Sequence, residues 1–220
     1  MAERDGHAVE RAWAEALHGD RDAFNRVVDP LVPELIEAAR AELRVLVAEG
    51  ELPEDLASPE EVVGEVLLRA WRNRRRRPPR VSLRAWLLAI LYRVLDERVH
   101  AERRRRRLAE AARDMHPEVP PLEDEETFWQ WFQPEDLPLA EPAMPEPVPD
   151  PETVAATLET RPRVLAPAAR RALLMHRRHR LDVREIAAVL RRPVGETREL
   201  VREAARRIRA AGDGEGGGSS

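Results

Sequence analysis

Apolar residues recur every three to four positions along most of this chain and nowhere alternate over the length of a strand, so the pattern predicts an all-α fold. The helical period can be followed from about His7 to Leu17, Arg21 to Val28, Leu31 to Val47, Pro59 to Arg72, Ser82 to about Arg107, Ala166 to His179, Val183 to Leu190 and Gly195 to Ala210. Ser58 is placed to cap the fourth segment, with Pro59 at the first helical position and Glu60 and Glu61 against the positive end of the helix dipole. Its expected buried stripe is Val62, Val63, Val66, Leu67, Ala70 and Trp71, which leaves Glu61, Gly64, Glu65 and Leu68 for solvent or a partner. In the segment from Ser82, the stripe Leu83, Trp86, Leu87, Ile90 and Val94 is widened by Leu88, Leu91, Tyr92 and Leu95, as in a central helix.

The last two segments read as a helix-turn-helix. Asp182 with Glu185 three residues on suggests a capping box, and the helix that follows buries Ile186, Ala187 and Leu190. Arg191, Arg192 and Pro193 break the period, because proline leaves the preceding residue extended. In the second helix Thr197, Val201, Ala204 and Ile208 form the apolar stripe, and Glu196, Arg198, Glu199, Arg202, Glu203 and Arg206 face outward. A helix of this kind fits the DNA major groove, and the second helix of such a pair is the one that enters it.

Many of the nineteen prolines fall between residues 117 and 167, which divides the chain into a helical domain over 1–113, an acidic linker over 114–154, a helix-turn-helix domain over 155–211 and a tail over 212–220. Thr127 to Phe132, TFWQWF, is the apolar exception in the linker, and its four aromatic rings are expected to dock on a domain or a partner. GDGEGGGSS has the composition of a flexible tail. No apolar run approaches a membrane span, and the first residues lack the pattern of a secretion signal, so a cytoplasmic location is expected. The lack of cysteine excludes disulfides and thiolate metal sites.

Charge changes the picture more than composition does. The net charge of −4 conceals alternating blocks: Met1 to Leu68 carries six Arg against seventeen acids, Arg69 to Arg107 fifteen against three, Leu108 to Thr160 one against fourteen, and Arg161 to Ala211 fifteen against five. All 37 basic residues are arginine, which grips phosphate bidentately where lysine acts as a point charge. Two basic modules separated by an acidic tether fit a polyanion held in two places. No glycine-rich phosphate loop and no histidine and carboxylate constellation points to an enzyme, and no cofactor or metal is expected; His176 and His179 read as helix-surface residues.

In order and spacing, three segments resemble bacterial RNA polymerase sigma factors of the extracytoplasmic-function type. SPEEVVGEVLLRAWRN resembles the segment that docks on the clamp helices of the polymerase β′ subunit, which implies polymerase contacts at Glu61, Gly64, Glu65 and Leu68. SLRAWLLAILYRVLDERVHAERRRRR resembles the helix that captures the promoter minus-10 element. With the basic loop before it, it implies DNA contacts at Arg74, Arg75, Arg76, Arg77, Arg80, Arg84, Tyr92 and Arg93. The stretch from Arg163 to Arg209 resembles the fourth conserved region, which reads the minus-35 element. Here the resemblance implies base contacts from the outward face of the last helix and phosphate contacts from Arg177, Arg178, Arg180 and Arg191. The partners implied are promoter DNA, the polymerase core through its β′ clamp helices and β flap, and an anti-sigma factor. The linker of related sigma factors enters the RNA exit path, and an acidic segment suits such a positive channel; crosslinks from Glu135 or Asp136 into the polymerase interior would test this.

The sequence also departs from the family. Gly64 stands where glutamine is usual, Arg93 where asparagine is common, Ala89 where a basic residue is common, and Arg191 where the turn usually has a small residue. Glu196, Glu199 and Glu203 on the reading face repel phosphate and can contribute only by accepting from a cytosine amino group. They keep open a sigma-derived DNA-binding regulator that does not support initiation, and the basic blocks keep open an arginine-rich RNA-binding adaptor.

Overall fold

The computed structural model describes residues 11–114 and 164–213, together with Val154 and Leu158. The linker with TFWQWF, the helical residues expected before 11 and the tail from 214 lie outside the described residues. Within them the chain is all-α: α1 (residues 11–17), α2 (Arg21–Val28), α3 (Val32–Ala48), α4 (Pro59–Arg72), α5 (Leu83–Asp114), α6 (Pro167–Arg177), α7 (Val183–Leu190) and α8 (Val194–Asp213), with single 3₁₀ turns at Asp29–Leu31 and Arg74–Arg76. No helix among the described residues is long and apolar enough to cross a membrane.

The backbone forms two compact units. Of the described residues, one comprises 11–43, 51–77 and 86–114; the other comprises 44–50, 78–85 and 164–213.

In the first unit, chain reversals are set by local chemistry. Gly19 takes φ +106°, a left-handed conformation that lets α1 turn into α2 without a Cβ clash, and the Asp20 side chain accepts from the Ala23 amide at 2.9 Å to start α2. At α4 the capping box is complete: Ser58 Oγ accepts from the Glu61 amide at 3.1 Å while the Glu61 carboxylate accepts from the Ser58 amide at 2.9 Å. The core is a run of aromatic edges. Trp13 stands against Phe24 and edge-on to Trp86, with centroids 6.2 and 5.9 Å away, and Phe24 stands edge-on to Trp71 at 5.3 Å. Trp86, Leu87, Leu88, Ile90, Leu91, Val94 and Leu95 are all buried, so the first three turns of α5 form the centre, as their pattern predicts.

That helix continues about two turns past Arg107. Its charged second half is tied by side chains: Arg103 makes a bidentate pair with Glu51 at 2.7 and 2.8 Å, and Arg105 and Arg106 each reach Glu102 at 2.7 Å. The Glu102 side chain is only 2% exposed, and the hydrogen bonds from Arg105 and Arg106 hold its carboxyl down to about 2.

In the second unit, α8 packs on both α6 and α7 around Leu173, Met175, Ile186, Val201, Ala204 and Ile208. The helix α6 stops at Arg177, short of the expected His179. The amides of Arg178 and His179 close on Leu174 O and that of Leu181 on Met175 O, while Arg180 takes φ +52°. His179 is buried at 1% exposure and is not the surface residue its spacing suggested.

Candidate nucleic-acid and polymerase interface

The helix-turn-helix is built by two caps. Asp182 accepts from the amides of Arg184 and Glu185, both at 2.8 Å, and starts α7. The reciprocal half of the expected capping box is absent: Glu185 accepts instead from the Ser82 amide at 3.3 Å, within the same unit. At the other end, Arg192 N donates to Ala187 O at 3.0 Å and Arg191 N to Ala188 O at 3.3 Å, a Schellman closure with Arg191 at φ +53°. An arginine thus occupies the left-handed position that glycine fills at no steric cost. On α7 the buried residues are Ile186, Ala187 and Val189; Leu190, expected among them, is half-buried because the chain leaves the helix there.

On α8 the expected stripe Thr197, Val201, Ala204 and Ile208 is wholly buried, joined by Ala205. Glu196, Glu199 and Arg206 are exposed, and Arg198, Arg202 and Glu203 are half-buried. Each carboxylate on this face meets an arginine. Arg192 lies 3.8 Å from Glu196, Arg202 donates to Glu199 at 2.8 Å, and Arg206 and Arg207 bond Glu203 at 2.9 and 2.8 Å. The bonds from Arg206 and Arg207 hold Glu203 below the usual carboxylate range, so it stays ionised at neutral pH. Around the motif, Arg178 and Arg180 are exposed and Arg177 and Arg191 half-buried.

The first arginine run divides into anchors and open residues. Arg74 lies over the Trp71 ring, 4.0 Å from its centroid, and donates to Ala16 O at 2.8 Å and Trp71 O at 2.9 Å. Arg75 donates to Leu17 O at 3.3 Å, so the pair closes the carbonyl end of α1. Arg77 lies over Trp13 at 4.8 Å, and burial pushes its pKa down. Arg72, Arg76 and Arg80 are exposed. Arg84 donates to His179 O at 3.2 Å, and Arg93 pairs with Glu97 at 2.9 Å. Tyr92, expected to be open for stacking on bases, is buried at 5% exposure because it falls on the same stripe as Leu88 and Leu95.

The acidic face of α4 divides in the same way. Glu65 is held between Arg69 at 2.6 Å and Arg98 of α5 at 2.8 Å, and Arg69 also reaches Glu97 at 2.6 Å. Arg98, Glu65, Arg69, Glu97 and Arg93 therefore form a continuous ladder between α4 and α5, and the bonds to Glu97 and Glu65 raise the Arg69 pKa against the opposing effect of its burial. Glu61, Gly64 and Leu68 remain exposed as one strip, with Leu68 at 42%. Nothing lies within 4 Å of a Cβ built on Gly64.

Several residues had no signal in the sequence. Arg170 is fully buried and pairs with Glu49 at 2.9 Å inside the second unit, 121 positions away along the chain. The ladder and the Glu102 pairs were likewise unforeseen, although the spacing of Glu102 to Arg105 and Arg106 is the ordinary i,i+3 and i,i+4 signature.

No family profile matches the chain, and no curated protein matches it significantly. Solved structures do. CnrH, determined in complex with the cytosolic domain of CnrY, matches with TM-score 0.56 and 21% identity, covering 94% of this chain and 98% of its own. The chain therefore shares the fold of CnrH. The sigma factor RpoE from Bartonella quintana, determined with the anti-sigma factor NepR, is similar at TM-score 0.49 and 18% identity over 86% of this chain and 95% of its own.

Proposed function

We propose that this chain is a sigma factor of the extracytoplasmic-function type, a non-enzymatic subunit that binds RNA polymerase core and directs it to promoters. The observation that carries this reading is the joint presence, on a sigma-like fold, of an exposed strip on α4 and a helix-turn-helix whose second helix turns ionised side chains outward. Such an adaptor works by linkage: each contact raises the effective concentration for the next, so modest sites on core and on two DNA elements add up to promoter choice.

In this reading Glu61, Gly64 and Leu68 meet the β′ clamp helices, and Glu65 positions them by fixing α4 to α5. The exposed Arg72, Arg76 and Arg80 track the unpaired minus-10 strand, while Arg74, Arg75 and Arg77 hold the loop in shape. Arg202 contacts bases of the minus-35 element, with Arg198 beside it, and Arg178 and Arg180 contact phosphate. The second domain is taken to bind the β flap. CnrH was determined with a protein partner, the cytosolic domain of CnrY, and in this reading the present chain also takes a protein partner, an anti-sigma factor.

Capture of purified core polymerase tests the proposal. The Leu68→Arg variant should lose most core binding while its melting temperature stays unchanged, because Leu68 is outside the core packing. Full core binding by a folded Leu68→Arg chain would contradict the α4 assignment. The carboxylates on α8 favour a second reading, a sigma-derived regulator that binds DNA without supporting initiation; it predicts DNA binding with no core capture at all.

A further inference from the structure

The outward face of α8 carries an arrangement that a phosphate-gripping helix does not need. Glu199 is 65% exposed, accepts from Arg202 at 2.8 Å, and lies in the N-terminal half of α8, the part with which the second helix of such a motif contacts base edges. Arg202, 25% exposed, is thereby aimed along the same face. We propose that the Glu199 and Arg202 pair reads one C·G base pair in the major groove, with Glu199 as the specificity-determining residue. The inference rests on the proposed DNA-reading role of α8 and assigns what that helix selects.

The chemistry is complementary. A C·G pair presents, side by side, one amino donor on cytosine N4 and two acceptors on guanine O6 and N7. An ionised carboxylate only accepts, and a guanidinium only donates through five hydrogens, so Arg202 can keep Glu199 while donating to guanine. Adenine also offers an amino group, but its N7 acceptor sits beside it and repels the second carboxylate oxygen. Glutamine reverses this preference, because its amide satisfies adenine N6 and N7 together. A carboxylate with no base partner would merely weaken binding by repelling phosphate, and this is the alternative to be distinguished.

Selection from a randomised DNA duplex library, with the full chain alone and bound to core polymerase, tests the assignment. The unaltered chain should enrich C·G at one position by roughly 5- to 100-fold, as a good base contact allows. Glu199→Gln should shift that position toward A·T, and Glu199→Ala should weaken its preference to what the Arg202 contact with guanine alone supplies, while overall affinity holds or rises. If Glu199→Gln selects the same sequences as the unaltered chain, only more tightly, the assignment is wrong and the DNA-reading role of α8 stands. If the unaltered chain enriches no sequence and Arg202→Ala changes nothing, the reading role falls with it.

Discussion

Arg191 shows what a single residue costs this fold. It sits at φ +53° in the turn of the helix-turn-helix, where a side chain with a Cβ costs about 1–2 kcal/mol. Arg191→Gly should therefore raise stability by about 1 kcal/mol, read as a higher melting temperature, and a lower one would show that the side chain holds the turn. At the first arginine run, Arg74→Ala removes a ring contact and two carbonyl hydrogen bonds and should destabilise the protein by roughly 1–3 kcal/mol. Arg76→Ala should leave the melting temperature unchanged and lower DNA affinity with a shallower salt dependence. Glu102 supplies a pH signature. Its folded pKa of about 2 lies below the ordinary 4.5, so its contribution is complete above pH 4.5 and is lost as pH falls toward 2. Glu102→Gln should flatten acid unfolding across that window; an unchanged profile would place the acid sensitivity elsewhere.

At the scale of elements, what the sequence could show depended on how local the cause was. Period located α2, and period with caps located α4 and α7, at their observed ends, because Ser58 and Asp182 act within three residues of themselves. The buried stripe of α8 was legible for the same reason, as its apolar residues repeat on one face. The tie of the second half of α5 to Glu51 was not, since Arg103 finds that carboxylate from 52 positions away. Neither was the division of the arginine runs, because identical residues in RRRR differ only in which carbonyl or ring the fold sets beside them. Glu65 was grouped with Glu61 on pattern alone, yet one of the two arginines that hold it lies on another helix. Gly64 tests the α4 strip directly. Gly64→Ala should stabilise α4 by about 1 kcal/mol, because the site is open and alanine is the better helix former. Unchanged core binding in that variant would show that docking does not depend on close backbone approach.

Over the whole molecule, the alternation of charge acquires a structural sense. Much of the positive charge between Arg69 and Arg107 is neutralised in place by Glu51, Glu65, Glu97 and Glu102, so the net count of arginines overstates what is offered to nucleic acid. Exposed arginines remain in the loop from Arg72 to Arg80, at the end of α5 and around the helix-turn-helix, and the first and last of these groups are the ones the proposed reading assigns to DNA. The central claim is that this adaptor gives start-site choice to a polymerase that lacks it. Its most direct measurement is transcription in vitro with purified core enzyme, with and without the chain, followed by mapping of RNA 5′ ends on genomic DNA. The account predicts a small set of new start sites sharing two spaced DNA elements, lost with Leu68→Arg and altered at the upstream element with Glu199→Gln. Transcripts identical with and without the chain would contradict it.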